Sequence, residues 1–214
     1  MLIGPNGAGK TTLFHCITGA LLPTAGVISL FGADITRLAE HRRTALGLGR
    51  TFQISNVLTD LTLLDNVLLA LLGTLPRKWT PHRRIARFAD MRAEALAGLE
   101  RVGLARDSDA AVKRLSYGQR RQLELALALA ARPRVLFLDE PCAGLAPSER
   151  QKVVGLVAGL PRDITILMIE HDMDVALRLA DRVTVLHRGR VILEGTPGEV
   201  RSDPQVREVY FGQR

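Results

Sequence analysis

Near the start of the chain, Gly4-Pro5-Asn6-Gly7-Ala8-Gly9-Lys10-Thr11 satisfies the spacing G-x-x-x-x-G-K-[ST], after an apolar run and before a helical periodicity. Glycines at this spacing let the backbone curl until successive N–H groups face an anion, and the helix N-terminus behind them adds partial positive charge. Lys10 is expected to reach the β- and γ-phosphates of a nucleotide, and the Thr11 hydroxyl to ligate Mg²⁺. Gly4, Pro5, Asn6, Gly7, Ala8, Gly9, Lys10, Thr11 and Thr12 are therefore the residues expected to hold ATP.

A second constellation is acidic. The apolar run at 135–138 ends in Asp139-Glu140, and in open α/β sheets ligands bind at the carboxyl ends of strands. Asp139 suits a Mg²⁺ shell, because that ion keeps waters and accepts one or two carboxylates. Glu140, one residue on, is suited to polarise an attacking water as general base. Another apolar run, 164–169, ends in Glu170-His171 and brings an imidazole to the same edge. His171 is expected to hydrogen-bond the γ-phosphate or the water, whereas His15, His41, His82 and His187 read as ordinary surface residues. Gln53, neutral with donor and acceptor capacity, means little alone. Leu115-Ser116-Tyr117-Gly118-Gln119 reads, without context, as a helix cap in which Ser116 and Gln119 have capping-box spacing.

The elements that must position these residues follow from periodicity and punctuation. A strand tail at 1–3 leads into the glycine loop. A helix from Lys10 shows Leu13, Ile17, Ala20 and Leu21 on one face, with Pro23 and Gly26 to close it. A strand at 27–31, a polar turn at 32–34 and a strand at 46–52 come next. A helix at 64–75, a break at 76–84, an Arg-rich amphipathic helix at 84–102, a loop at 105–114 and a helix at 116–131 follow. Beyond them lie strands at 135–138 and 164–169, the first followed by a helix at 147–160 that Pro147 opens. A helix at 173–180, strands at 183–186 and 191–193, and one helix ending near Phe211 complete the chain. The alternation predicts an α/β domain spanning 1–214 with a mostly parallel sheet. Segments 1–60 and 132–214 form its core, and the strand-free block at 61–131 is an inserted helical subdomain.

Composition narrows the function classes. Hydrophobic residues make up 47% of the chain and aromatics only 4%, so the core is expected from Leu, Val, Ile and Ala. The net charge of +7 is almost entirely Arg. Such an excess is compatible with nucleic acid, anionic lipid or acidic partners, and equally with solvated faces. No aromatic–basic interleaving of the single-strand-binding kind is present, so solvated faces are the preferred reading and nucleic acid is not an expected partner. The longest apolar stretch, 61–72, is interrupted by Thr62, Asp65 and Asn66 and falls short of the roughly 20 residues a membrane span needs. With no signal peptide in view, the chain is expected to be soluble by itself, with Cys16 and Cys142 as buried thiols.

Taken in order, Gly4 to Thr11, Gln53, Leu115 to Gln119, Asp139-Glu140 and His171 resemble the nucleotide-binding subunit of ABC transporters over essentially the whole chain. Leu115-Ser116-Tyr117-Gly118-Gln119 stands where that family of P-loop NTPases carries its LSGGQ signature. The resemblance implies a head-to-tail pair of cassettes, each ATP lying between the phosphate loop of one and the signature of the other. Ser116, Gly118 and Gln119 then join the nucleotide contacts in trans, and Ser116 with the N–H groups behind it forms a second anion-binding helix terminus. Gln53 is implied as a metal-shell and sensing residue that touches a membrane subunit, and Ala143-Gly144-Leu145-Ala146 as the D-loop. Segments 49–53, 61–67, 170–173 and 206–212 resemble the branched-chain amino acid importer type. That implies two permease subunits, indirectly a solute-binding protein, and a peripheral position on the cytoplasmic face of the membrane. The basic stretch 77–92 matches an insertion of that group, near lipid headgroups or solvated.

Three departures qualify the expectation. The strands that usually precede the phosphate loop, and the aromatic that stacks on adenine, do not occur in this sequence, so weak nucleotide binding or loose packing at that edge is expected. Tyr117 replaces a signature glycine, and Ala146 replaces the Asp common in D-loops. Two rival readings stand beside transport: a soluble cassette protein acting on ribosomes or DNA, and a nucleotide-incompetent scaffold.

Overall fold

The computed structural model of the chain describes residues 1–51, 57–74 and 84–211. Among them, a six-stranded sheet runs in the order β4 (Leu48–Arg50), β5 (Val135–Asp139), β6 (Thr165–Ile169), β1 (Leu2–Ile3), β7 (Val183–His187) and β8 (Arg190–Gly195). Every neighbouring pair is parallel except β7 and β8, which form an antiparallel hairpin. This order sets the carboxyl ends of β5, β6 and β1 side by side, and those ends carry Asp139-Glu140, Glu170-His171 and the glycine loop.

Continuous apolar runs form these strands because both faces of the sheet are covered. Leu2 lies in one hydrophobic cluster with Phe14, Phe137 and Ile169, while its neighbour Ile3 faces another with Val183, Val185 and Ala176. On β5 the same alternation sends Phe137 toward α1 (Lys10–Thr18) and Leu136 and Leu138 to the opposite side. Phe14 meets Phe137 edge-on, with ring centroids 5.3 Å apart, a favoured aromatic geometry. On the other face, α3 (Leu63–Gly73), α4 (Arg84–Arg101), α5 (Tyr117–Ala130) and α6 (Pro147–Ala158) gather around Leu99, Leu123, Leu136 and Val153 in one cluster. α7 (Met173–Leu179), α8 (Pro197–Ser202) and α9 (Pro204–Phe211) pack at the β7 end. No helix among the described residues is long and apolar enough to cross a membrane.

Several local expectations are corrected. α1 ends at Thr18, where Gly19 donates its N–H to the His15 carbonyl at 3.0 Å, rather than at Pro23 and Gly26. Its buried face is Phe14 and Thr18, while Leu13, Ala20 and Leu21 face solvent; packing against Phe137 decided the rotation. The 27–31 strand shrinks to β2 (Ser29–Leu30), paired with β3 (Ala33–Asp34) across a turn at Phe31-Gly32, so part of the expected turn is strand. Leu46 is exposed outside β4, and Phe52 lies outside the described residues. A helix not foreseen, α2 (Glu40–Ala45), lies between the hairpin and β4. Two single 3₁₀ turns punctuate the loop at 105–114, and the expected single C-terminal helix is the pair α8 and α9. The break at 76–84 falls almost wholly outside the described residues.

One side chain anchors α2. Arg43 is fully buried and donates to the carbonyls of Leu38, Thr36, Cys16 and Ile17, at 2.6 to 3.0 Å. Two of these lie in the last turn of α1, where the helix dipole favours a cation. The opposite end of α1 is the phosphate loop.

Candidate nucleotide site

β1 delivers the chain to Gly4, and the loop turns through Gly7 and Gly9 at φ 77° and 98°, backbone conformations that L side chains resist. Gly9 stands at the N-terminus of α1. The Ala8 carbonyl accepts the Gly189 N–H at 2.9 Å, so the β7–β8 turn braces the loop from behind. Lys10 is buried, and its ammonium donates to the carbonyls of Gly4 at 2.7 Å and Pro5 at 3.1 Å. Burial lowers the Lys10 pKa, against the fields of Glu140 and Asp139, which raise it. The cradle and the acidic pair thus share one edge of the sheet. Thr11, half-buried, and Thr12, exposed, occupy the first turn of α1.

Asp139 ends β5 almost completely buried, and both carboxylate oxygens lack a hydrogen-bond partner among the described residues. Burial and the neighbouring Glu140 push its pKa up, while Arg50, His15 and His171 oppose them. His15, expected to be an ordinary surface residue, is instead half-buried on α1 within the field of this carboxylate. Glu140 takes a left-handed conformation, φ 47°, which costs a non-glycine residue on the order of 1–3 kcal/mol. The surroundings hold it there. Its N–H donates to the Ile169 carbonyl at 3.0 Å, and its own carbonyl accepts the Ala143 N–H at 3.1 Å. The effect is to aim its side chain at His171, whose Nε2 lies 2.5 Å from Glu140 Oε1.

Glu170, which the sequence shows only as the end of an apolar run, is a buried carboxylate that accepts the N–H groups of Cys142 and His171. Burial raises its pKa, and those donors pull the other way. From the far end of the chain, α9 brings the Tyr210 phenol close to the Gly4 N–H; burial raises this phenol to about 12, and the nearby N–H pulls the other way. No motif in the sequence pointed to either contact, because each joins segments distant in the chain.

The signature segment forms a separate neighbourhood. Ser116 caps α5 by accepting the Gln119 N–H at 3.2 Å, and the Gln119 side chain returns the bond to the Ser116 N–H at 3.0 Å. The Ser116 hydroxyl donates to Glu149 Oε1 at 3.0 Å, and Gln119 Nε2 to Asp107 at 3.2 Å. A Cβ on Gly118 would meet the Glu149 carboxylate at 2.5 Å and push it away from the Ser116 hydroxyl it accepts from. Tyr117 is half exposed, and its hydroxyl accepts a bond from Arg121 at 2.7 Å. Ser116, Gly118 and Gln119 thus have their side-chain and backbone neighbours at Asp107 and Glu149. Gln53 lies outside the described residues.

Comparison with known proteins gives this geometry a family. The model of the family described as ABC transporter matches residues 1–143, which include the loop, the signature and the acidic pair. The chain belongs to the ABC transporter family. The model described as branched-chain amino acid ATP-binding cassette transporter matches residues 190–214. BraF of Pseudomonas aeruginosa, a high-affinity branched-chain amino acid transport ATP-binding protein, is 38% identical over 99% of this chain and 86% of its own length. LptB of Acidithiobacillus ferridurans, the ATP-binding protein of a lipopolysaccharide export system, is 39% identical over 100% of the chain and 85% of its length. Among solved structures, the ADP conformation of MJ1267, an ATP-binding cassette of an ABC transporter, superposes with a TM-score of 0.84 at 33% identity, covering 99% of this chain and 87% of that one. As an ABC cassette, the chain is an ATP-binding subunit and an ATPase whose turnover energises transport.

Proposed function

We propose that this cassette hydrolyses ATP at the site formed by its phosphate loop, Asp139, Glu140 and His171, to drive uptake of branched-chain or related amino acids. The observation that carries the reading of the site is that the carboxyl ends of β5, β6 and β1 lie side by side, placing Asp139, Glu140 and His171 along the same edge as the phosphate loop, with His171 against Glu140. Lys10 and the loop N–H groups hold and neutralise the β- and γ-phosphates. Glu140, with the His171 imidazole against its carboxylate, orients the attacking water and takes its proton. The buried, partnerless oxygens of Asp139 suit a Mg²⁺ shell, with Thr11 as the hydroxyl ligand and Gln53 as a further ligand. When bound, Mg²⁺ supplies charge neutralisation across the phosphates.

Ser116, Gly118 and Gln119 of a second cassette complete the site in trans, which the exposed position of Ser116 at the start of a 14-residue helix favours. The cargo reading rests on the match at 190–214 and on BraF; LptB, equally identical, shows that cassette similarity alone does not choose a cargo. The block at 61–131 acts as the helical subdomain, and two permease subunits hold the cassettes on the cytoplasmic membrane face.

Glu140→Gln is the test. It is expected to leave the affinity for a fluorescent ATP analogue within about twofold and to lower phosphate release about a hundredfold or more. Turnover at the parental rate in the assembled transporter removes Glu140 from the role of base.

A further inference from the structure

We infer that Glu170 is a positioning residue for hydrolysis: its buried carboxylate ties the turn that carries Glu140 to the loop that carries His171, and so fixes where the two side chains meet. The inference rests on the proposed roles of Glu140 and His171.

The contacts close a ring. Glu170 is 3% exposed, and its two oxygens go to two different loops. Oε1 accepts the Cys142 N–H at 3.1 Å, two residues beyond Glu140, and Oε2 accepts the His171 N–H at 3.3 Å. His171 in turn reaches Glu140 through Nε2 at 2.5 Å. Between Glu140 and Cys142 stands Pro141, whose ring locks φ. Movement at Cys142 is therefore passed back to Glu140 with little slack. The strained left-handed conformation of Glu140 is the part of the ring that needs holding, since a non-glycine residue relaxes out of it unless its surroundings forbid that.

The residue type is informative. An apolar side chain at this position would fill the space at lower desolvation cost, because burying a carboxylate is expensive unless N–H donors satisfy it. A carboxylate alone among side chains of this length offers two equivalent acceptors and no donor, which is what two converging backbone N–H groups require. Glutamine keeps the shape and one acceptor but turns an NH₂ group toward the other N–H.

The test combines kinetics with a readout independent of turnover. In the full chain assembled with its transporter, Glu170→Gln is expected to lower kcat tenfold or more while the ATP Kd stays within twofold. On a Glu140→Gln background the same substitution is expected to add almost nothing, because it acts through Glu140. In ¹⁵N-histidine-labelled protein, the ring signals of His171 are expected to move while those of the other four histidines stay in place. Glu170→Asp, which keeps both acceptors and withdraws them by one methylene, guards against a variant that fails to fold and is expected to have an intermediate kcat. The inference is overturned by a Glu170→Gln kcat within threefold of the parent, by His171 signals that stay put, or by a Kd that rises as kcat falls. A parent chain without ATPase activity sinks the functional reading instead, and the His171 signals still decide the role of Glu170.

Discussion

At the residue scale, Asp139, Glu140 and Glu170 are three carboxylates within two strand ends, and each is kept by a different device. Asp139 is buried with neither oxygen partnered among the described residues, Glu140 faces an imidazole, and Glu170 is satisfied by backbone N–H groups. The first is a charge held ready for a cation at a cost to the free protein. Asp139→Asn is therefore expected to raise the melting temperature of the metal-free, nucleotide-free chain at neutral pH, since an amide costs less to bury than an ion. The same variant is expected to lose the further rise that Mg²⁺ with ATP gives the parent; differential scanning fluorimetry with and without Mg-nucleotide reads both. Of these three, the sequence singled out the two that follow an apolar run as an adjacent acidic pair. Glu170 escaped notice because its partners are main-chain donors, and main-chain donors have no residue identity to read.

At the scale of elements, α1 is the axis of the site, and both its ends are engaged by the rest of the chain. Its N-terminus shapes the phosphate loop, and its last-turn carbonyls are held by Arg43. Arg43→Met leaves four partly buried carbonyls without that donor and is expected to cost about 3 kcal/mol, lowering Tm by roughly 6–12 °C for a chain of this size; calorimetry checks it. Most elements were legible. β5 and β6 announced themselves as apolar runs, α5 through its capping box, and α6 through Pro147. The misjudged ones share a cause. Leu13, Ala20 and Leu21 fit a helical spacing, yet which stripe of α1 turns inward is chosen by Phe137, 123 residues beyond Phe14 in the sequence. α2 shows no apolar periodicity because its anchor is a buried arginine, and arginine counts as polar in any pattern.

For the whole molecule, the site is assembled from both ends of the chain. Gly4 follows the first strand, and Tyr210 reaches it from the last helix, inside the segment that matches the branched-chain amino acid cassette model. Tyr210→Phe removes the hydroxyl beside the Gly4 N–H while keeping the ring in its hydrophobic cluster. It is expected to weaken ATP binding roughly two- to tenfold, the worth of about one polar contact to the loop, with little change in Tm; titration with a fluorescent ATP analogue measures it, and unchanged affinity sinks the idea. By itself the sequence determined the chemistry on offer and its approximate place. A glycine loop ending in Lys-Thr, an acidic pair after an apolar run and a capped signature helix are local patterns, legible because their physical causes lie within a few residues. Only the tertiary structure decided how they meet: that β1 enters between β6 and β7, that His171 turns to Glu140, and that Glu170 and Arg43 hold backbone from afar. Strand order and buried polar contacts depend on residues tens to hundreds of positions apart, and no periodicity in a single chain encodes which distant donor will find which acceptor.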